Sequence, residues 1–318
     1  FTFAISLADT YHSARRLDDA IQYYEELSTE ASNFLGYNHP ITLTALNNLA
    51  SVYESAEMFD PAIALYEEVV ALRTRFIGPN HIDTLTSRSN LAGGYESVGR
   101  LDEAIALYEQ ILQDSQHTLG PKHPETIGTK ANLAHAYHID HRISDALNLY
   151  EDALATSTDT LGAEHPETLH VQHSLATVFE SAGDLTTALS LYEQVFSERE
   201  RLLSFEHPDT LTTANDLANA YSSAGRSQEA IDLHERVFRA RVHLLDVDHP
   251  DTLTSGTYLA YAYLTSGHVI EAISLYRELL DVAMDALGPE HTLTQTLDNH
   301  VTTLMTAMST QGETPDER

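Results

Sequence analysis

Residues 119–137 read LGPKHPETIGTKANLAHAY, and this wording returns along the whole chain at a spacing of 42 residues. A histidine opens each copy, followed by proline in five of seven cases. The seven histidines are His39, His81, His123, His165, His207, His249 and His291. A fixed period of this length without gap or insertion indicates stacked structural repeats, and it leaves no place for a domain boundary.

Small and aromatic residues recur at the same period. The first alanine series is Ala8, Ala50, Ala92, Ala134, Ala176, Ala218 and Ala260, and the second is Ala20, Ala62, Ala104, Ala146, Ala188, Ala230 and Ala272. Four residues after the second series come Tyr24, Tyr66, Tyr108, Tyr150, Tyr192, His234 and Tyr276. Alanines at fixed positions predict close helix packing, and the aromatic residues predict the filling beside it.

Each repeat is predicted to contain two helices. The first begins after the histidine, because proline suits the first helical position and the following acid suits the helix N-terminus. The second is predicted, for example, over Leu101–Leu119, and usually stops at glycine. The glycine is absent at Arg15, Glu57 and His141 in the turn between the helices, and at Ser204 and Asp246 after the second helix.

The small and aromatic residues at these positions resemble the tetratricopeptide repeat (TPR). The 42-residue period and the strings at Asn47–Ala50 and Leu119–Pro124 are similar to the kinesin-light-chain subtype, which also forms sensor arrays in NB-ARC (STAND-type) signalling proteins. The resemblance implies an all-α, right-handed superhelical solenoid of antiparallel helix pairs. One array is predicted over 1–308, with repeats starting near the seven histidines, a partial repeat at 1–38 and a polar tail at 309–318.

Charge and composition restrict the function. The net charge is −31 and cysteine is absent, which argues against nucleic-acid and anionic-membrane partners and excludes thiolate chemistry. No apolar run approaches the length that a membrane span needs and no signal-peptide pattern opens the given sequence, so a cytoplasmic location is expected. The chain opens on Phe1 in mid-pattern, so we expect it to be a piece of a longer protein. The charged run 198–201 is predicted to lie on a solvated outer face.

The search for reactive groups finds no nucleotide-binding, metalloprotease or nucleophile-elbow motif, so we expect neither an enzyme nor a cofactor. The recurring histidines fit a role at helix starts. A zinc or nickel site is an alternative for pairs spaced three apart on successive first helices, with Asp140 as a further carboxylate. These pairs are His135 with His138 and His170 with His173.

The resemblance implies a ligand groove on the concave side, formed by the first helices. Matching by register gives the peptide-binding candidates Asn47, Ser51, Glu54, Ser89, Glu96, His135, His138, His173, Thr177, Glu180, Asn215, Asn219 and Tyr261. Asparagine can donate to and accept from a peptide backbone. Because these positions hold no lysine or arginine, a polar or basic ligand segment fits them better than an acidic one.

The sequence therefore predicts a non-catalytic protein–protein interaction module, the sensor or scaffold part of a larger signalling protein. The first alternative is a structural solenoid that self-associates through its ends. Apolar residues are available for this at Phe1, Phe3 and Ile5, and at Leu293, Val301 and Leu304. The second alternative is the histidine-based metal protein.

Overall fold

A computed structural model describes residues 1–14 and 16–311, with the side chains of 308–311 excepted. In these ranges the chain is all-α, without a strand. The helices are α1 (Thr2–Ser13), α2 (Leu17–Leu35), α3 (Pro40–Ser55), α4 (Phe59–Ile77), α5 (Ile82–Ser97), α6 (Leu101–Thr118), α7 (Pro124–Ile139), α8 (Ile143–Leu161), α9 (Pro166–Ser181), α10 (Leu185–Leu203), α11 (Pro208–Ser223), α12 (Ser227–Leu245), α13 (Pro250–Thr265), α14 (Val269–Ala286) and α15 (Thr292–Gln311). Odd-numbered helices are the first helices of their repeats, and even-numbered ones are the second helices.

The helices form two compact units, Phe1–Val171 and the part from Gln172 onward, and the boundary falls within α9. The single array over 1–308 stays a prediction. Of the predicted tail, residues 309–311 belong to α15, and 312–318 lie outside the described residues. Arg15, where the sequence lacks a turn glycine, also lies outside them.

Successive helices pack on each other along the chain, from α1 to α8 in one unit and from α10 to α15 in the other. In addition, first helices contact the first helices of adjacent repeats: α1, α3, α5 and α7 in one unit, and α11, α13 and α15 in the other. The second helices that the structure describes make no comparable contact with each other. The first helices are therefore drawn together, so each unit presents them on its inner side.

Each of the seven histidines caps a first helix. Its Nδ1 accepts a hydrogen bond from the backbone N–H two residues later, at 3.1–3.2 Å in every repeat. An acceptor nitrogen carries no proton, so the capping imidazole is the neutral tautomer protonated on Nε2. The helix-start role predicted for the histidines is confirmed.

The two alanine series form the tight contacts of the core. All fourteen alanines are at most 1% exposed, as is expected where helix backbones approach closely. The aromatic series from Tyr24 to Tyr276 is also buried, and includes His234 at 1% exposure. The packing roles predicted for these series are confirmed.

A cluster of tyrosine, glutamate and arginine recurs where a first helix meets the second helix before it. Tyr137 of α7 donates to Glu109 of α6 at 2.8 Å, and the Arg142 guanidinium lies 3.9 Å from the Tyr137 ring centre. Arg142 also pairs with Asp145 at 2.8 Å. The tyrosine–glutamate bond recurs at Tyr53–Glu25, Tyr95–Glu67, Tyr221–Glu193 and Tyr263–Glu235. These contacts fix each first helix against the second helix before it.

Three second helices carry an arginine at the same register, at Arg73, Arg199 and Arg241; the first two are buried and Arg241 is half-buried. Each donates to a backbone carbonyl in the first turn of the following helix and to a hydroxyl one turn further on, at 2.7–3.1 Å. Arg199 is 6% exposed, so the solvated face predicted for 198–201 is wrong at this residue. Glu198 and Arg201 form an exposed ion pair, as the pattern predicts.

The backbone after each second helix adopts a positive φ even where glycine is absent. Ser204 has φ 80° and ψ 163°, and Asp246 has φ 68° and ψ 168°, close to the φ 97° and ψ 158° of Gly162. This region is almost confined to glycine because a Cβ atom crowds the backbone there. Ser204 and Asp246 therefore hold a strained conformation that the repeat imposes.

Replacing Ser204 with glycine should raise the free energy of unfolding by about 1 kcal/mol, because the Cβ strain disappears. Urea unfolding followed by circular dichroism measures the change. The reverse substitution Gly162→Ser is the matched control and should destabilise by a similar amount. A Ser204→Gly protein that is less stable than the wild type would show that the chain entropy of glycine outweighs the strain.

Candidate functional site

The inner faces of the first helices are joined by polar contacts between neighbouring repeats; we call these faces the inner wall. In the first unit Glu54 of α3 accepts from the Tyr66 hydroxyl at 3.1 Å and from Ser97 of α5 at 2.6 Å. Ser89 of α5 accepts from the Asn132 amide at 3.2 Å. Ser51, one turn before Glu54, is half-buried. These predicted ligand residues therefore belong to one polar surface.

His135 and Glu96 form an ion pair on the same wall. His135 Nδ1 lies 2.8 Å from Glu96 Oε1, and this hydrogen bond raises the pKa of the imidazole. At His138, burial and the charges of His135 and His141 lower the pKa instead. The protonated form is thus favoured at His135 and disfavoured at His138.

The inner wall of the second unit is acidic. Tyr192 is bonded to Thr177 at 2.9 Å and donates to Glu180 at 3.2 Å, while His173 lies 3.0 Å from Asp216. Burial, followed by the charge of Glu180, raises the pKa of Asp216 to about 6. Burial also raises the pKa of Glu180. Two desolvated carboxylates in one place favour a cationic group beside them.

Asn47 and Asn215 differ from the open contact positions that the register predicts. They are only 7% and 8% exposed, and their side-chain oxygens have no hydrogen-bond partner within the described residues. These oxygens are buried, so the two asparagines are not open contact positions for a ligand, and an amide oxygen without a partner costs stability. Asn219 is half-buried, and Tyr261 is 51% exposed.

The alternative prediction is a metal site at the histidine pairs of two successive first helices. Among the described residues, no group of three or more histidine, aspartate or glutamate side chains is arranged to hold a metal ion. His135, His138 and His170 belong to the first unit, and His173 belongs to the second. His135 and His173 already contact carboxylates.

Permanent positive charge is absent from the exposed inner wall. The first helices contain one arginine and one lysine, Arg88 and Lys130, and both are buried. Each forms an ion pair with a carboxylate on a second helix, Arg88 with Asp114 and Lys130 with Asp152, both at 2.7 Å. The exposed wall therefore presents carboxylates, hydroxyls, amides and imidazoles.

Comparisons with known proteins identify the repeat. The family model described as tetratricopeptide repeat matches residues 1–75, 62–113, 83–159, 126–200, 182–242 and 209–285. These matches cover most of the chain. The chain belongs to the tetratricopeptide-repeat family. Proteins of this family are typically non-catalytic and serve in protein–protein interaction or as scaffolds.

Solved structures with TPR repeats are similar to this TPR chain. A Podosopora anserina protein described as a kinesin light chain with nearly identical TPR-like repeats is 34% identical, with TM-score 0.59, covering 63% of this chain and 95% of its own. BtubC (BKLC) from P. vanneervenii is 25% identical, with TM-score 0.61 and coverages of 72% and 92%. A Pyrococcus horikoshii STAND protein with a TPR sensor shares the fold at 13% identity, with TM-score 0.66 and coverages of 92% and 42%. Curated proteins give no match.

Within the described ranges, no TPR helix is long and apolar enough to cross a membrane.

Sequence reasoning missed a cleft of about 520 Å³ in the TPR inner wall of the first unit. Thr86, Ser89 and Asn132 line it together with Gly128 and others. The register holds threonine at this glycine position in every other repeat except at His170. Gly128 is the only glycine in this regular series, and this departure was the available signal.

Proposed function

We propose that this TPR chain is a recognition module whose inner wall binds an extended, basic protein segment. The observation that supports it is the charge of the wall. Glu54 and Glu96 in the first unit and Glu180 in the second lie on first helices whose only two permanent cations are buried and paired elsewhere. A cationic ligand would relieve this excess of negative charge, while an acidic one would add to it.

The wall also contains groups suited to a peptide backbone. The half-buried amide of Asn219 and the half-buried hydroxyls of Ser51 and Ser89 can each donate and accept a hydrogen bond. An extended segment exposes N–H and C=O groups along its length, which such side chains can satisfy without fixing a sequence. The carboxylates would then provide the preference for basic residues.

The P. horikoshii STAND protein carries its TPR repeats as a sensor. We propose a corresponding role for this chain, as the sensor or scaffold part of a larger signalling protein in the cytoplasm.

Fluorescence anisotropy with labelled Arg-rich, Gln-rich and Glu-rich peptides of equal length tests the binding. We expect the Arg-rich peptide to bind most tightly and to weaken as salt is raised. The variant Glu54→Gln, Glu96→Gln, Glu180→Gln should lower its affinity by about tenfold or more, since three wall charges are lost while hydrogen-bond acceptors remain.

The matched control removes three charges from exposed second-helix positions, as Glu30→Gln, Asp102→Asn and Asp281→Asn. It separates wall recognition from attraction to the overall charge, and it should change the affinity little. Equal binding of the Arg-rich and Glu-rich peptides, or equal losses in the two variants, would contradict the proposal.

Self-association is the second candidate, and one observation favours it. Phe3 is 84% exposed, whereas the residues at its register in the other repeats are at most 2% exposed. At the other end Leu293, Val301 and Leu304 pack against the core of the second unit, so they are less available. Light scattering at several concentrations distinguishes self-association from binding by a monomer.

A further inference from the structure

The cleft beside Gly128 lies open at a position where most repeats carry a side chain. A Cβ atom added at Gly128 would stand 4.0 Å from Glu167 Oε1, with nothing closer. Threonine, which most repeats have at this register, would therefore extend into the cleft toward that carboxylate. A glycine inside a helix costs about 1 kcal/mol relative to alanine. The open space is thus maintained against the helix preference of the chain.

Two polar side chains of the cleft are free to bind a ligand. The side chains of Glu167 and Asn90 have no hydrogen-bond or ion-pair partner within the described part of the chain. Glu125 Oε1 accepts from the Thr86 hydroxyl at 3.2 Å, and burial raises the pKa of this carboxyl. A desolvated carboxylate and an unpartnered one therefore lie on one cleft.

The net charge of the cleft is negative even when the partial positive charges of the two helix N-termini beside it are included. Glu125 and Glu167 stand in the first turns of α7 and α9, and each helix N-terminus corresponds to about half a positive charge. Two full carboxylate charges exceed this. The lining contains no lysine or arginine, and its one imidazole, His165, caps α9 through Nδ1 and is neutral in that role. The remaining charge favours a cation.

We propose that this cleft binds the guanidinium group of a ligand arginine. Arginine fits better than lysine because its planar fork offers five N–H donors to a lining that holds two carboxylates and the amide oxygens of Asn90 and Asn132. The inference rests on the proposed function, since it names one side chain that the bound segment presents. It places this recognition at one repeat, because no other repeat has glycine at this register.

Amide NMR of the whole chain tests the proposal with N-acetyl-arginine amide as the probe. We expect saturable shifts at Gly128 and its neighbours, with a dissociation constant on the order of 1 mM. The neutral, nearly isosteric N-acetyl-citrulline amide should bind about tenfold more weakly or worse, and N-acetyl-lysine amide should fall between them.

Two variants address the geometry and the charge separately. Gly128→Thr should abolish the arginine shifts while helicity is kept or thermal stability rises, and Glu167→Gln should weaken binding by about tenfold without filling the cleft. Asp209→Asn is the matched control, because it removes a first-turn acid of α11 outside this cleft, and it should leave the arginine shifts unchanged.

Equal shifts with arginine and citrulline amides, or undiminished arginine binding by both Gly128→Thr and Glu167→Gln, would overturn the proposal. If basic peptides bind the wall but the arginine amide leaves Gly128 unshifted, the cleft inference is wrong and the proposed function stands. If the arginine amide binds at Gly128 and the peptides do not bind, the cleft assignment holds and the proposed function is wrong.

Discussion

Replacing Arg73 with alanine is expected to lower the free energy of unfolding by about 3 kcal/mol. Arg73 is 6% exposed and joins three helices, since it donates from α4 to the Asp83 carbonyl and Ser87 hydroxyl of α5 at 2.7 Å, and to Thr44 of α3 at 3.0 Å. Its removal takes away three charge-assisted hydrogen bonds and leaves a cavity. Burial also lowers the pKa of the guanidinium, which shows the desolvation that these bonds offset.

Urea unfolding of Arg73→Ala beside Arg75→Ala isolates this contribution. Arg75 lies two residues along the same helix but is exposed, so the same substitution there should change stability by less than about 0.5 kcal/mol. Arg73→Lys should recover only part of the loss, because one ammonium group cannot span all three acceptors. Similar effects at Arg73 and Arg75 would show that the buried bonds contribute no net stability.

The second large effect is a pH dependence from His234. This side chain replaces tyrosine in the buried aromatic series, its Nδ1 has no hydrogen-bond partner within the described residues, and burial lowers its pKa to about 4. An unfolded histidine has a pKa of about 6.5. Between these values the unfolded chain binds more protons, so the stability that is full above pH 6.5 is lost as the pH falls toward 4.

At pH 5 the loss should reach about 2 kcal/mol relative to neutral pH. His234→Tyr restores the aromatic of the other repeats and removes this dependence, so the stability difference between variant and wild type should grow as the pH falls from 7.5 to 5. The exposed His243 on the same helix provides the control His243→Tyr, which should not change the slope. Parallel pH profiles for wild type and His234→Tyr would refute the expectation.

Asp216, in the same unit, changes the free energy of unfolding with pH in the opposite direction to His234. Its pKa is raised to about 6, so the folded state binds more protons than the unfolded state below that value, and its ionisation costs stability as the pH rises toward 6. Comparing the variant with the wild type at each pH separates His234 from Asp216.

Sequence periodicity predicts the helix pairs well because one residue type serves one position in many copies. The histidine caps follow from seven recurrences, and the second helix predicted over Leu101–Leu119 is observed over Leu101–Thr118. The positive φ at Ser204 and Asp246 also follows once these residues are aligned with Gly162. In these cases the register carries information that a single residue lacks.

Periodicity is less informative where a side chain has two possible environments. Arg199 is charged and lies in a charged run, yet its side chain is buried. Burial is possible because a backbone carbonyl and a hydroxyl of the next helix accept hydrogen bonds from its guanidinium group. Asn47 and Asn215 have the expected register but are mostly covered. The cleft at Gly128 depends on a missing side chain and on the placement of Glu167 in another helix, which residue types alone do not provide.

Within each unit, first helices of adjacent repeats touch, and among the described helices neither a comparable contact between second helices nor one beyond the next repeat is found. We therefore expect a substitution to perturb the packing of its own repeat and of the adjacent repeats only. Thr86 and Gly128 occupy equivalent positions in adjacent repeats but are different residue types, while the alanines and capping histidines of the two repeats are the same. Such a chain can evolve its specificity one repeat at a time, because an exchange of one inner side chain leaves the common framework intact.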